Sequence, residues 1–186
     1  MRPLTEPETE ALFKKLANYT GNSLKNLVTN GEGQDRYVFR IQASRCYYVK
    51  LALANLATSV ARDQLLSLGV CLGKYTKSGK FRLHVTALPF LAEHARYKVW
   101  VRANGEMPFL YGSHIVKAHV GRWSEDCPEH QGVVVLSAAT DTPLGFGVTA
   151  RSTQEARRLD PTAIVVFRQA DCGEYLRDED SLFATT

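Results

Sequence analysis

A chain of 186 residues with 45% hydrophobic side chains and a formal charge of +4 can bury one substantial core or two smaller ones, and its composition excludes a collagenous or disordered polymer. No apolar run approaches the roughly 20 residues that span a bilayer, and the opening MRPLTEPETE has no secretory hydrophobic segment. The expectation is a soluble, monomeric protein that stays inside the cell and has no membrane partner. The charge is lopsided: residues 1–95 carry 13 Lys and Arg against 7 Asp and Glu, and residues 96–186 carry 10 against 12. A basic body with an acidic tail from Asp171 to Asp180 is compatible with a polyanionic partner.

In chain order, Thr5 and Glu8 have capping-box spacing, and Leu12, Phe13, Leu16, Ala17 and Thr20 recur on one helical face until Gly21. A short second helix follows, with Asn22 as its cap and Leu24, Leu27 and Val28 as its buried side. Asn30 to Gly33 reads as a turn, and Arg36 to Ile41 as a half-buried strand with Tyr37, Phe39 and Ile41 inward. Cys46 to Val49 pairs with it. A third helix is expected over 52–62, with Leu53, Leu56, Ala57 and Val60 inward. Leu65 to Tyr75 and Lys80 to Ala87 read as two strands about Lys77 to Gly79, where Lys74, Lys77 and Lys80 cluster. Those lysines either discourage edge pairing or contact phosphates.

Pro89 breaks the pattern, and the domain boundary is placed near Ala95. Beyond it, Lys98, Trp100 and Arg102 are expected on one face of a strand, with Val99 and Val101 on the other. Cations flanking an indole suit nucleic acid, and a tryptophan sealing a domain contact is the alternative. Gly132 to Leu136 and Phe146 to Ala150 are apolar runs joined through Asp141 and Pro143, with Gly145 and Gly147 allowing close backbone approach or a bulge. Ala163 to Phe167 adds a third strand after the polar connection 152–162, and the set is expected to close into a small barrel.

Familiar reaction chemistry is missing. The stretch Gly69 to Tyr75 has three residues between its glycines where a phosphate loop needs four, and tyrosine where Ser or Thr would hold magnesium. There is no G-x-S-x-G elbow and no H-E-x-x-H pair. Cys46, Cys71, Cys127 and Cys172 are scattered and read as free thiols, and Cys127 with His130 lacks the partner pair of a zinc site. His84, His94, His114 and His119 are isolated. No cofactor, metal or catalytic residue is assigned.

The segment Phe109 to Val120, a glycine opening an apolar strand, resembles the PUA family of RNA-binding barrels, as do Gly132 to Val135, Pro143 to Ala150 and Ile164 to Phe167. Over Met1 to about Arg177, the blocks MRPLTEPE, CLGKYTKSGKFRLHVTAL, FLYGSHIVKAHVGR, TPLGFGVTARST and QADCGEYLR are similar to the eukaryotic Nip-seven family of large-subunit ribosome biogenesis factors. That resemblance implies an α+β protein. Residues 1–95 would be an α/β pre-PUA domain with an antiparallel sheet flanked by helices, and residues 96–186 a PUA barrel with a short acidic tail. It implies a non-enzymatic factor in the nucleus and nucleolus, with the cytoplasm as a second compartment, acting in 60S assembly and 27S pre-rRNA processing. The partners implied are pre-rRNA, pre-60S particles, nucleolar assembly factors and an exosome-core subunit. Carried onto this sequence, RNA contact falls on Gly112, Ser113, Lys117, Arg122 and Arg168, joined by Arg151, Arg157 and Arg158. Lys74, Lys77, Lys80, Lys98, Trp100 and Arg102 form a secondary RNA or partner face. The chain has Ala118 and His119 where many PUA domains have Pro-Gly. The rival reading is a protein-interaction adaptor within pre-ribosomal particles whose interfaces are built by Tyr47, Tyr48 and Trp100.

Overall fold

The chain opens on a capped helix. In the computed structural model, which describes residues 1–29, 31–61, 64–65 and 67–183, the Thr5 N–H donates to the Glu8 carboxylate at 2.8 Å and Arg2 grips that carboxylate at 2.6 and 2.8 Å. One orphan donor of the helix start is thereby satisfied, and negative charge sits where the helix dipole favours it. Helix α1 (Glu6–Thr20) buries Leu12, Leu16, Tyr19 and Thr20; Tyr19 extends the predicted stripe. A 3-10 turn over Gly21–Ser23 leads into α2 (Leu24–Val28). Asn22 lies inside that turn and does not cap, and Val28 is 48% exposed. Five residues make little more than one turn, so only Leu27 is fully buried.

Strands β1 (Tyr37–Gln42) and β2 (Arg45–Lys50) form the expected hairpin, Tyr37 opposite Lys50 through to Gln42 opposite Arg45. With β3 (Val70–Tyr75) and β4 (Phe81–Leu83) they make an antiparallel sheet in the order β1-β2-β3-β4. The last two strands are shorter than predicted: β3 begins at Val70, and β4 ends at Leu83 because Val85–Ala87 closes into a 3-10 turn. Between β2 and β3, α3 (Leu51–Leu56) and the 3-10 turn Ala57–Ser59 replace the longer helix. Ala54 of the helix is buried and so is Ala57 of the turn, as expected for Ala57, while Leu53, Leu56 and Val60, also predicted inward, are exposed. The helix starts directly after β2 without a loop, so the strand's exit sets which side meets the sheet. Asn30, Arg62 and Leu66, where a turn, a helix end and part of a strand are expected, lie outside the described residues. Pro89 starts a helix instead of breaking the chain: α4 (Leu88–His94) carries it in the first turn, where a missing N–H costs nothing.

The second sheet has the order β6-β10-β9-β8-β5-β7. It comprises β5 (Lys98–Val101), β6 (Ile115–Val116), β7 (Val120–Trp123), β8 (Gly132–Ser137), β9 (Pro143–Thr149) and β10 (Ile164–Asp171). β5 and β8 run parallel and the other pairs antiparallel. The two edge strands, β6 and β7, are joined by a single 3-10 turn, Lys117–His119. The sheet must therefore curl until its edges nearly meet, which makes the expected small barrel.

All six residues of β8 are buried because both faces are covered. Val133 and Val135 enter the barrel core with Val99, Phe109, Ile115 and Val165. Val134 and Leu136 join Leu12, Leu16, Tyr19, Leu72 and Leu91 in a core shared with the first sheet. The connecting elements depart most from expectation. The residues before Gly112, for which no element was expected, form α5 (Ala103–Leu110), and the polar connection contains α6 (Thr153–Ala156). The acidic tail is folded: Asp171 ends β10 fully buried, α7 (Glu174–Arg177) and α8 (Glu179–Phe183) follow, and Leu182 is buried in the shared core.

Candidate nucleic-acid interface

The seam where β6 and β7 approach each other is a groove of about 330 Å³ lined by Arg102, Lys117, Val120, Trp123, Arg157 and Pro161, among others. Three cations converge there from three elements: Arg102 is the N-cap of α5, Lys117 starts the 3-10 turn, and Arg157 follows α6. Among the described lining residues there is no carboxylate. Lys117 Nζ donates to the Arg157 carbonyl at 2.9 Å and also to that of Leu159, so it pins the connection over the seam. The Arg102 N–H donates to the His119 carbonyl at 2.8 Å. Gly105 makes the approach possible, since a Cβ there would stand 2.5 Å from Cβ of His119. Such a groove can hold a phosphate against guanidinium and ammonium groups with Trp123 as an apolar wall.

Other expected contacts fall elsewhere. Trp100 and Arg122 are cross-strand neighbours on β5 and β7, with the guanidinium carbon 3.7 Å from the indole centroid. Asp141 accepts from Trp100 Nε1 at 2.5 Å and lies 3.7 Å from Arg122, so the stacked pair carries its own counter-ion. Lys98 shares that strand face, while Arg102 leaves it to cap α5. Arg151 is paired with Glu129 at 2.5 Å, and Arg158 is exposed. Gly112, at φ +96°, turns the chain toward Arg168 and Arg177, with Ser113 next to it. Arg168 is engaged by Asp171 and Glu174, and Arg177 by Asp171 at 3.0 Å. This acidic shell was not anticipated, because it depends on how the tail folds back.

The lysines of the β3–β4 hairpin do not cluster. Lys74 lies on β3 in a cleft between the two sheets, Lys77 lines a depression beside Arg2 and Tyr75, and Lys80 faces α1. Tyr47 and Tyr48 are buried, and the Tyr48 hydroxyl donates to the Leu27 carbonyl at 3.0 Å, so they are core residues and not interface residues. Burial pushes the Cys46 thiol up to about 12 and the Cys127 thiol up to about 11, so neither is a ready thiolate at neutral pH. No group of three or more His, Cys, Asp or Glu that could hold a metal occurs among the described residues.

A nearly closed barrel with cations at its seam, packed on an α/β unit, places the chain among PUA-domain proteins: residues 97–180 match the UPF0113 PUA domain model. The fold is similar to that of a PUA domain from Aeropyrum pernix K1, at a TM-score of 0.60 and 16% identity over 97% of this chain and 90% of that one. Residues 1–85 match the NIP7/UPF0113 pre-PUA domain. The chain is 62% identical to the 60S ribosome subunit biogenesis protein NIP7 of Saccharomyces cerevisiae, covering 98% of this chain and 99% of that one. It is 61% identical to the 60S ribosome subunit biogenesis protein nip7 of Schizosaccharomyces pombe, over 98% of this chain and all of that one. The chain belongs to the NIP7 family.

Proposed function

We propose that this protein is a non-catalytic RNA-binding assembly factor of the 60S ribosomal subunit that grips pre-rRNA through the seam of its barrel. The observation that carries the reading is the convergence of Arg102, Lys117 and Arg157 on a groove with no carboxylate among its described lining residues. Relatives more than 60% identical over nearly their whole length, named for 60S subunit biogenesis, support it. Such work is done on pre-60S particles in the nucleus and nucleolus, with nucleolar assembly factors and an exosome-core subunit as partners. Residues 1–95 act as a second module and residues 96–186 as the RNA-gripping one. Arg122, Arg151 and Arg168 extend the contact only where their acidic neighbours let go, and the exposed Arg158 extends it directly. The test is binding of a labelled single-stranded RNA to the R102Q/R157Q variant across a salt series. Two lost phosphate contacts should flatten the log–log salt slope by about 1.4, and an unchanged slope removes the groove from the assignment.

A second reading, a protein-docking role for the first module, is favoured by the exposed Leu53, Leu56 and Val60. Loss of pre-60S association in an L53S/L56S variant that retains RNA affinity would support it.

A further inference from the structure

Strand register in the first sheet sets three cations side by side. Arg45 on β2 stands opposite Lys74 on β3, and Lys74 opposite Arg82 on β4. Arg45 is buried and donates to the Leu182 carbonyl, whereas Lys74 and Arg82 are exposed like charges directly opposite on one sheet face and repel. Lys74 and Arg82 line a cleft of about 570 Å³ between the two sheets, where Lys15 of α1 adds further charge and Arg168 of β10 lies with its partner Glu174. Carboxylates, Glu174 and Asp178, lie at the barrel end of the cleft. Lys15 also lines an adjoining depression of about 720 Å³ with Lys14, Lys80 and Arg96, where no carboxylate occurs among the described lining residues. The two hollows therefore meet at Lys15, and together they make a band of positive charge along the junction of the two sheets. Inside it, Nδ1 of His84 is buried without a hydrogen-bond partner among the described residues.

We infer that this junction is a second phosphate-binding track, taking the backbone of an RNA strand from Arg96 past Lys15 to Lys74 and Arg82. The inference rests on the reading of the chain as an RNA-binding protein. The track's groups are point charges and guanidinium forks, which bind phosphate without reading bases. It exists only while the two sheets are docked, because α1 and the β3–β4 hairpin supply one wall and the barrel the other. A strand lying there would relieve the repulsion between Lys74 and Arg82. A free polyphosphate shares this chemistry, and the experiment separates the two sources.

The test uses the full chain and a labelled single-stranded RNA, with K74Q/R82Q compared with the seam variant R102Q/R157Q. The expected result is at least a tenfold loss of affinity for K74Q/R82Q, a salt slope flatter by about 1.4, and recovery in the charge-conserving K74R/R82K variant. Failure of K74R/R82K to recover would show that packing and not charge is at stake, and would overturn the track. Unchanged RNA binding in K74Q/R82Q alongside loss in R102Q/R157Q overturns the track and leaves the barrel reading intact; no loss in either variant overturns both. Inorganic tripolyphosphate forms the second arm, followed through the His84 ring resonances. Displacement of RNA by it, with those resonances shifting in both complexes, supports the shared site. A shift with tripolyphosphate alone, none with RNA, and unchanged RNA affinity in K74Q/R82Q would assign the site to a free polyphosphate and overturn the RNA track.

Discussion

Arg168 and Asp171 stand three residues apart on β10, yet their side chains meet. In a regular strand such residues point to opposite faces. Here Arg168 pairs with Gly147 and Ala170 with the adjacent Phe146, so Gln169 is an extra residue that shifts the alternation by one. Asp171 is fully buried and also accepts from Arg177 at 3.0 Å and from the Gly173 N–H at 2.8 Å. Taking its charge away leaves two guanidinium groups facing a neutral site. Asp171→Asn is expected to cost about 3–5 kcal/mol, read as a lower urea midpoint at constant slope. Glu174→Gln, at the rim of the same shell, should cost much less.

His84 gives a pH signature. Burial holds its imidazole down at about 4, with Arg45 and Lys74 pushing the same way; Lys15, Arg82, Arg168, Glu174 and Asp178 also line its cleft. The unfolded chain takes up the proton near pH 6.5 while the folded chain resists until about 4. The unfolded state therefore binds more protons across that window, so stability is full above pH 6.5 and falls as pH drops toward 4. The loss from this group is of the order of 3 kcal/mol. His84→Gln should flatten the stability curve between pH 6.5 and 4, measured by denaturant titration, and an unaltered curve would rule out the buried neutral imidazole.

Local signals were legible in the sequence, and long-range ones were not. Thr5 and Glu8 mark the first helix because both halves of the cap lie within four residues. The valine run at Gly132 reads as a strand, but its reason, a barrel core on one face and α1 with α4 on the other, needs the second sheet in place. Of the face expected around α3 only Ala57 is buried, because Leu53 and Leu56 are apolar but point outward and the helix's own inward residue is the small Ala54, which gives periodicity little to mark. Arg102, Lys117 and Arg157 were each singled out, yet only the closure of β6 on β7 makes them neighbours. Lys15 and Arg82 sit on the polar faces of amphipathic elements, and nothing local tells that the barrel packs beside them.

The counter-ion at Asp141 leads to a gain-of-binding test. Arg122 is stacked on Trp100 and lies 3.7 Å from the Asp141 carboxylate, with both charged side chains largely exposed. If Arg122 meets RNA, that carboxylate repels the same phosphate. Asp141→Asn keeps a turn-forming side chain and should strengthen RNA binding about two- to fivefold at low salt, converging with the parent protein as salt screens the charge. Anisotropy titrations at two salt concentrations decide it; equal or weaker binding at low salt would take Arg122 off the interface.

The docking of the two sheets can be tuned in opposite directions at one contact. Tyr19 packs edge-on against Phe146 at 5.5 Å, with its hydroxyl buried and without a hydrogen-bond partner among the described residues. Its ring presses on Gly132, where a Cβ would stand 2.7 Å from two ring carbons and 2.9 Å from the Asn18 carbonyl oxygen. A buried hydroxyl without a partner forfeits hydration for nothing, so Tyr19→Phe should raise stability by about 1 kcal/mol. Gly132→Ala must push α1 off the barrel and should cost about 1–3 kcal/mol. Because the junction track needs both walls in register, Gly132→Ala should also weaken RNA binding while R102Q/R157Q leaves the melting temperature unchanged. Thermal melts and RNA titrations on the same three proteins separate loss of docking from loss of charge.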